Sequence, residues 1–202
     1  MRSHGTKPSR ARPAALAGGL LALAALAAPS VVAAEAHAGV KACGVTVKVK
    51  DHAKYVVNQY FLDAMRFVPG TVTIKAGCDL TFEFAAPDDN DPHSLSLIKE
   101  SDVPRTTEQM EKCKVCKRIR ADHVGDPTEP AGPHNPIVHW IVNVGKPGLD
   151  APGDSLSIFE SKSKGAPPGH ASVTVPVSAP AGTTLYYICG MHPWMQGKIV
   201  VA

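Results

Sequence analysis

The stretch "YYICGMHPWMQGKIVVA", residues 186–202, joins two patterns that rarely meet. "TLYYICG" (184–190) and "KIVVA" (198–202) read as β-strands. Between them, Cys189, His192 and Met195 fall at three-residue intervals. The strand pleat puts Leu185, Tyr187 and Cys189 on one face, so an inward Leu185 brings the thiol inward too. A tight turn can then wrap His192 and Met195 around the same point. Pro193 stiffens it by fixing its own φ. Thiolate, imidazole and thioether together favour copper, because soft sulfur suits Cu(I) and imidazole suits both oxidation states. Thioether is a poor zinc ligand.

Period-two alternation continues upstream. "VTVKVK" (45–50), "TVTIK" (71–75), "DLTFEF" (79–84), "SLSL" (94–97) and "SVTVPV" (172–177) read as half-buried strands separated by Gly- and Pro-containing turns. "IVHWIVNV" (137–144) is nearly continuously apolar and predicts a strand covered on both faces. The expected fold class is all-β, a sandwich or barrel. The stretch 103–123 breaks the alternation and predicts a helix of about three turns with Thr106 or Thr107 as N-cap. Residues 101–136 therefore read as a helix-containing insertion in a domain spanning 39–202.

Two His, one Cys and a distant Met make the near-trigonal donor set of blue-copper electron-transfer centres. The second histidine must come from elsewhere. His93 in "DDNDPHSLSLI" opens an alternating strand after a polar turn and is the leading candidate. His134 in "GPHNPIVHW" is its rival. The predicted metal ligands are thus His93, Cys189, His192 and Met195.

The tail resembles the end of the cupredoxin family, with a short Cys-x2-His-x2-Met loop most similar to amicyanin and plastocyanin-like proteins. "RFVPGTVTIKAGCDLTFEF" followed by "DPHSLSL" resembles that family's first half. The resemblance covers about 65–98 and 153–202. It implies an eight-stranded Greek-key β-sandwich holding one type 1 copper and carrying single electrons. The long stretch between His93 and Cys189 departs from the pattern. Met191, Pro193 and Trp194 would rim the ligand loop, where a redox partner protein would dock. Multicopper enzymes commonly flank the copper Cys with His, whereas here the neighbours are Ile188 and Gly190. The expected activity is electron carriage rather than enzymatic turnover.

The remaining cysteines offer alternatives. "MEKCKVCK" (110–117) aligns Met110, Cys113 and Cys116 along one helix face, with His123 beyond. They could form a disulfide, a redox-active pair, or a second copper site in a copper delivery or storage protein. Lys117 excludes haem attachment, which needs His there. A disulfide within one helix is strained, so the helix would bend or stop. Cys43 and Cys78 are then the natural second bridge.

Residues 1–13 are basic and 14–28 apolar, with small residues following, which reads as a secretory signal peptide over 1–34. Cleavage fits after Ala34, Ala36 or Ala38, and the second position would leave His37 as an N-terminal Cu(II) chelator. Removing 1–34 takes Arg2, Lys7, Arg10 and Arg12 and moves the formal charge from +3 to −1. No basic stripe survives to recruit nucleic acid. The expected location is periplasmic or secreted, with no stable membrane insertion after cleavage.

Overall fold

The computed structural model describes residues 43–85, 91–129, 132, 134–159 and 169–202. The expected signal peptide, its cleavage positions and His37 lie outside them. Twelve strands are described: β1 Gly44–Lys50, β2 Ala53–Val56, β3 Tyr60–Asp63, β4 Arg66–Val68, β5 Thr71–Ile74, β6 Asp79–Phe84, β7 His93–Ile98, β8 Ile141–Val142, β9 Ser155–Ile158, β10 Ser172–Pro176, β11 Thr184–Ile188 and β12 Gln196–Val201. Helices α1 (Thr107–Glu111) and α2 (Lys114–His123) lie between β7 and β8.

One sheet has the order β10-β6-β1-β4 and the other β5-β12-β11-β7-β9-β8. The β1–β6 and β5–β12 pairs are parallel, and the others in both sheets are antiparallel. Val47, Val49, Leu80 and Phe82 from the first sheet meet Leu95, Leu97, Leu156, Ile158, Tyr187 and Ile199 from the second in one buried core. Phe67 sits edge-on to both Phe82 and Tyr187, with ring centroids 6.0 and 5.0 Å away. The fold is the expected all-β sandwich with a helical insertion. Among the described residues the two sheets hold ten strands rather than eight, and β2 and β3 form a separate hairpin that alternation did not mark.

Cys43 and Cys78 are disulfide-bonded (S–S 2.05 Å), tying the start of β1 to the start of β6. Cys113 and Cys116 are bonded as well; α1 ends at Glu111 and α2 begins at Lys114, so the helical stretch breaks just before the bridge and Cys116 lies in the first turn of α2. Thr106 caps α1, its hydroxyl accepting from the Gln109 amide at 3.2 Å. Cys113 occupies the cap position of α2.

Helix α2 buries Cys116, Ile119 and His123 along one face. Cys113, Cys116 and Ile119 pack with Ile98 of β7 and Ile188 of β11 in a second apolar cluster. The insertion thus roofs part of the outer face of the six-stranded sheet. This corrects the half-buried reading of "SLSL": all six residues of β7 are buried, Ser94 and Ser96 included. The strand β9, "SLSI", is buried throughout in the same way.

The stretch 137–144 also differs from expectation. Only Ile141 and Val142 form a strand, at the sheet edge beside β9. Val138, Ile141 and Val144 are exposed. The chain leaves strand geometry at 137–139, where the amides of Val138 and His139 both donate to the His123 carbonyl. An edge position, not two-sided burial, accommodates the apolar run.

Candidate metal centre

Strand β7 presents His93 at its first residue, and β11 runs antiparallel beside it, with Ile188 opposite Ser96. Cys189 follows directly after β11. Residues 189–195 close on themselves: the Cys189 amide donates to the Met195 carbonyl at 3.0 Å and the Met195 amide to the His192 carbonyl at 2.9 Å. Leu185, Tyr187 and Cys189 all face the core, as the pleat predicted.

Three donor atoms meet there. His93 Nδ1 and His192 Nδ1 are 3.2 Å apart, and Cys189 Sγ lies 3.9 Å from the first and 3.7 Å from the second. The point equidistant from all three is about 2.1 Å from each, inside the range of metal–imidazole bonds and close to that of metal–thiolate bonds. The triangle therefore fits a metal ion without rearrangement. This is the one such His/Cys/carboxylate cluster among the described residues.

The electrostatics suit a cation. Burial, reinforced by the neighbouring His192, pushes His93 down to about 3, so its imidazole is neutral and ready to ligate. Burial also lowers His192, against the raising influence of Asp91, Asp63 and Asp51. Burial raises the Cys189 thiol, opposed by hydrogen bonds from the backbone and from the Ser94 side chain. A bound metal removes that thiol proton outright. The Ser94 amide donates to Cys189 Sγ at 3.4 Å, and Ser94 Oγ accepts from the Gly190 amide at 2.9 Å. Such bonds orient the sulfur and modulate its donation to a metal.

The surroundings are asymmetric. His93 and Cys189 are fully buried, while His192 is only partly so. Phe84 meets the His93 ring at 5.8 Å and Trp194 meets the His192 ring at 5.2 Å. Trp194 is 41% exposed, and Met191 and Pro193 are half-buried beside it. Met195 is buried in the core on the same loop.

His134, the rival ligand, is exposed and outside the cluster. Cys113 and Cys116 are joined to each other, so neither offers a thiolate for a second copper. His123 is not beside them as a ligand: its Nε2 lies 2.6 Å from Ser155 Oγ and its Nδ1 faces the His139 carbonyl. Sequence reading offered His123 only as a neighbour of the Cys113/Cys116 pair, and it passed over Ser94, Ser96 and Ser155 because serine in an alternating strand ordinarily faces water.

With one thiolate and two imidazoles around a single point, and a buried thioether on the same loop, the donor set is that of one type 1 copper. No family model and no curated protein matches the chain. Solved structures do. A mutant fern plastocyanin is 16% identical with a TM-score of 0.36, covering 78% of this chain and 100% of its own. Auracyanin A, a blue copper protein of Chloroflexus aurantiacus, is 21% identical with a TM-score of 0.36, covering 79% and 99%. The multicopper oxidase mgLAC is 15% identical with a TM-score of 0.32, covering 78% of this chain and 38% of its own. The copper assignment stands on this chain's own donors: a β-sandwich holds one thiolate and two imidazoles around a single point that suits one type 1 copper.

Proposed function

We propose that this protein is an exported carrier of single electrons, with His93, Cys189, His192 and Met195 as ligands to one copper. The observation that carries this reading is the triangle of His93 Nδ1, His192 Nδ1 and Cys189 Sγ, closed to ligand distance by two segments 96 residues apart. Copper supplies a one-electron couple when bound. The chain supplies rigidity: one triangle of donors, held by strands on one side and a hydrogen-bonded turn on the other. That keeps the geometry nearly fixed between oxidation states, which is what rapid transfer needs.

Met195 would be the fourth residue holding the copper. Met191, Pro193 and Trp194 form the patch through which a redox partner docks, since His192 is the ligand nearest solvent and provides the short exit. Export rests on the basic, apolar, small-residue order of 1–34, and among the described residues no helix is long and apolar enough to cross a membrane. Ile188 and Gly190, flanking Cys189, supply no ligands for a second copper cluster, which favours carriage over oxidase chemistry.

Visible and paramagnetic-resonance spectra of the copper-loaded protein, with metal counted per chain, test the reading. One tightly held ion, an intense thiolate-to-copper band and reversible one-electron reduction are expected. A folded protein that stays colourless with cupric ion refutes it.

A further inference from the structure

The buried serines beneath the insertion form a continuous hydrogen-bonded ladder. Ser94 Oγ lies 2.9 Å from Ser96 Oγ, Ser96 Oγ 2.5 Å from Ser155 Oγ, and Ser155 Oγ 2.6 Å from His123 Nε2. Three of its members are less than 2% exposed: Ser94, Ser96 and His123, with Ser155 at 2%. The β7–β9 register, which pairs Ser96 with Ser155, builds the middle rung. One end is the last residue of α2. The other touches the metal loop twice, through the Gly190 amide and the Cys189 sulfur. None of His123, Ser155 and Ser96 reaches the donor triangle.

The ladder has a branch point. Ser96 brings one hydroxyl proton and faces two acceptors, Ser94 Oγ and the closer Ser155 Oγ. His123 decides between them. Its Nδ1 faces the His139 carbonyl, which can only accept, so Nδ1 carries the proton and Nε2 of the neutral ring accepts. Burial keeps that ring neutral. Nε2 therefore accepts a hydrogen bond from the Ser155 hydroxyl. Polarised in this way, Ser155 Oγ becomes the better acceptor for Ser96. Ser94 then loses a donor, and its own hydroxyl is a weaker donor to the Cys189 sulfur.

We propose that His123, with Ser155, is a positioning residue of the insertion that draws the Ser96 proton away from Ser94 and thereby weakens the hydrogen bonding of the Cys189 sulfur. This rests on the type 1 copper reading and deepens it: the insertion holds the copper potential lower than the sandwich alone would. Hydrogen bonds to the sulfur withdraw charge that would otherwise favour Cu(II).

Ser155→Ala and His123→Asn test it, the asparagine retaining a donor for the His139 carbonyl while losing the Nε2 contact. Both free the Ser96 proton for Ser94. Each should raise the reduction potential by an amount equivalent to a roughly twofold to fivefold change in the Cu(I)/Cu(II) affinity ratio, where tenfold corresponds to about 59 mV. The thiolate-to-copper band should move with it. Ser155→Thr, which retains the hydroxyl, should keep the parent potential. A metal-free readout runs in parallel: the Gly190 amide proton resonance, which reports on Ser94 Oγ, should move in Ser155→Ala and stay in Ser155→Thr. Folded, copper-binding Ser155→Ala and His123→Asn proteins with the parent potential and band overturn the proposal. If the parent protein takes up no copper, the electron-carrier reading fails by itself, and the metal-free Gly190 resonance decides the ladder: movement supports it and an unmoved resonance overturns it.

Discussion

The Ser94 amide donates to the Cys189 sulfur at 3.4 Å, joining residues 95 apart in the chain. Ser94 follows His93 in β7 and Cys189 follows β11, so this one contact ties two corners of the donor triangle together. Strand pairing, and not the loop alone, makes the site.

Cys189 anchors the metal. Cys189→Ser should abolish the intense visible band, because the sulfur-to-copper transition needs the thiolate. The sandwich should remain folded, since the serine oxygen is smaller than the sulfur it replaces. Absorption and circular dichroism on the same sample check both halves.

His93 supplies a corner that His134 does not. His93→Ala should weaken copper binding by roughly a hundredfold or more, a loss at least as large as those seen on removing outer-shell partners of metal ligands. His134→Ala should leave binding unchanged, because His134 is exposed and outside the cluster. Competition against a copper chelator measures the two constants, and the reverse ranking would move the ligand role into the insertion.

Met195→Gln tests the proposed ligand role of Met195 against a packing role alone. An amide oxygen is harder than a thioether and favours Cu(II), so the potential should fall while copper is retained. Redox titration reads the change. An unchanged potential would remove Met195 from the ligand set.

Metal-free protein should lose stability on acidification. His93 titrates at about 3 in the folded chain and near 6.5 when unfolded. Between those values the unfolded state binds more protons, so stability is full above about pH 6.5 and falls as pH drops toward 3, by at most about 4–5 kcal/mol. Urea unfolding at stepped pH measures the slope. Copper loading should flatten it over the upper part of the window, where the metal still excludes protons from both imidazoles.

Gly190 is the seat of helix α2. A Cβ there would lie 2.5 Å from Ile119 Cγ2 and 3.5 Å from the Cys116 carbonyl oxygen. Gly190→Ala should cost roughly 1–3 kcal/mol through overpacking. Because Gly190 also donates to Ser94 Oγ, the visible band should shift along with the melting temperature.

The spacing of Cys189, His192 and Met195 is local, and so is the alternation that makes strands on either side of them. A turn of seven residues holds all three side chains whatever the rest of the chain does, which is why the sequence alone disclosed the loop, the metal and the sandwich. The helical stretch was likewise legible, because propensity and capping act over a few residues, whereas its break beside Cys113 followed only on the disulfide reading of Cys113 and Cys116. His93 could be nominated but not distinguished by contact, since its distance to Cys189 depends on which strands pair and in what register. Burial of Ser94, Ser96 and Ser155 was invisible for a further reason. Alternation reports how many faces of a strand are apolar, not whether polar side chains on the other face will be roofed. The insertion roofs them, and hydrogen bonding to one another and to His123 satisfies groups that would otherwise need water. That layer, and the chain of protons it holds beside the metal loop, exists only in the folded molecule.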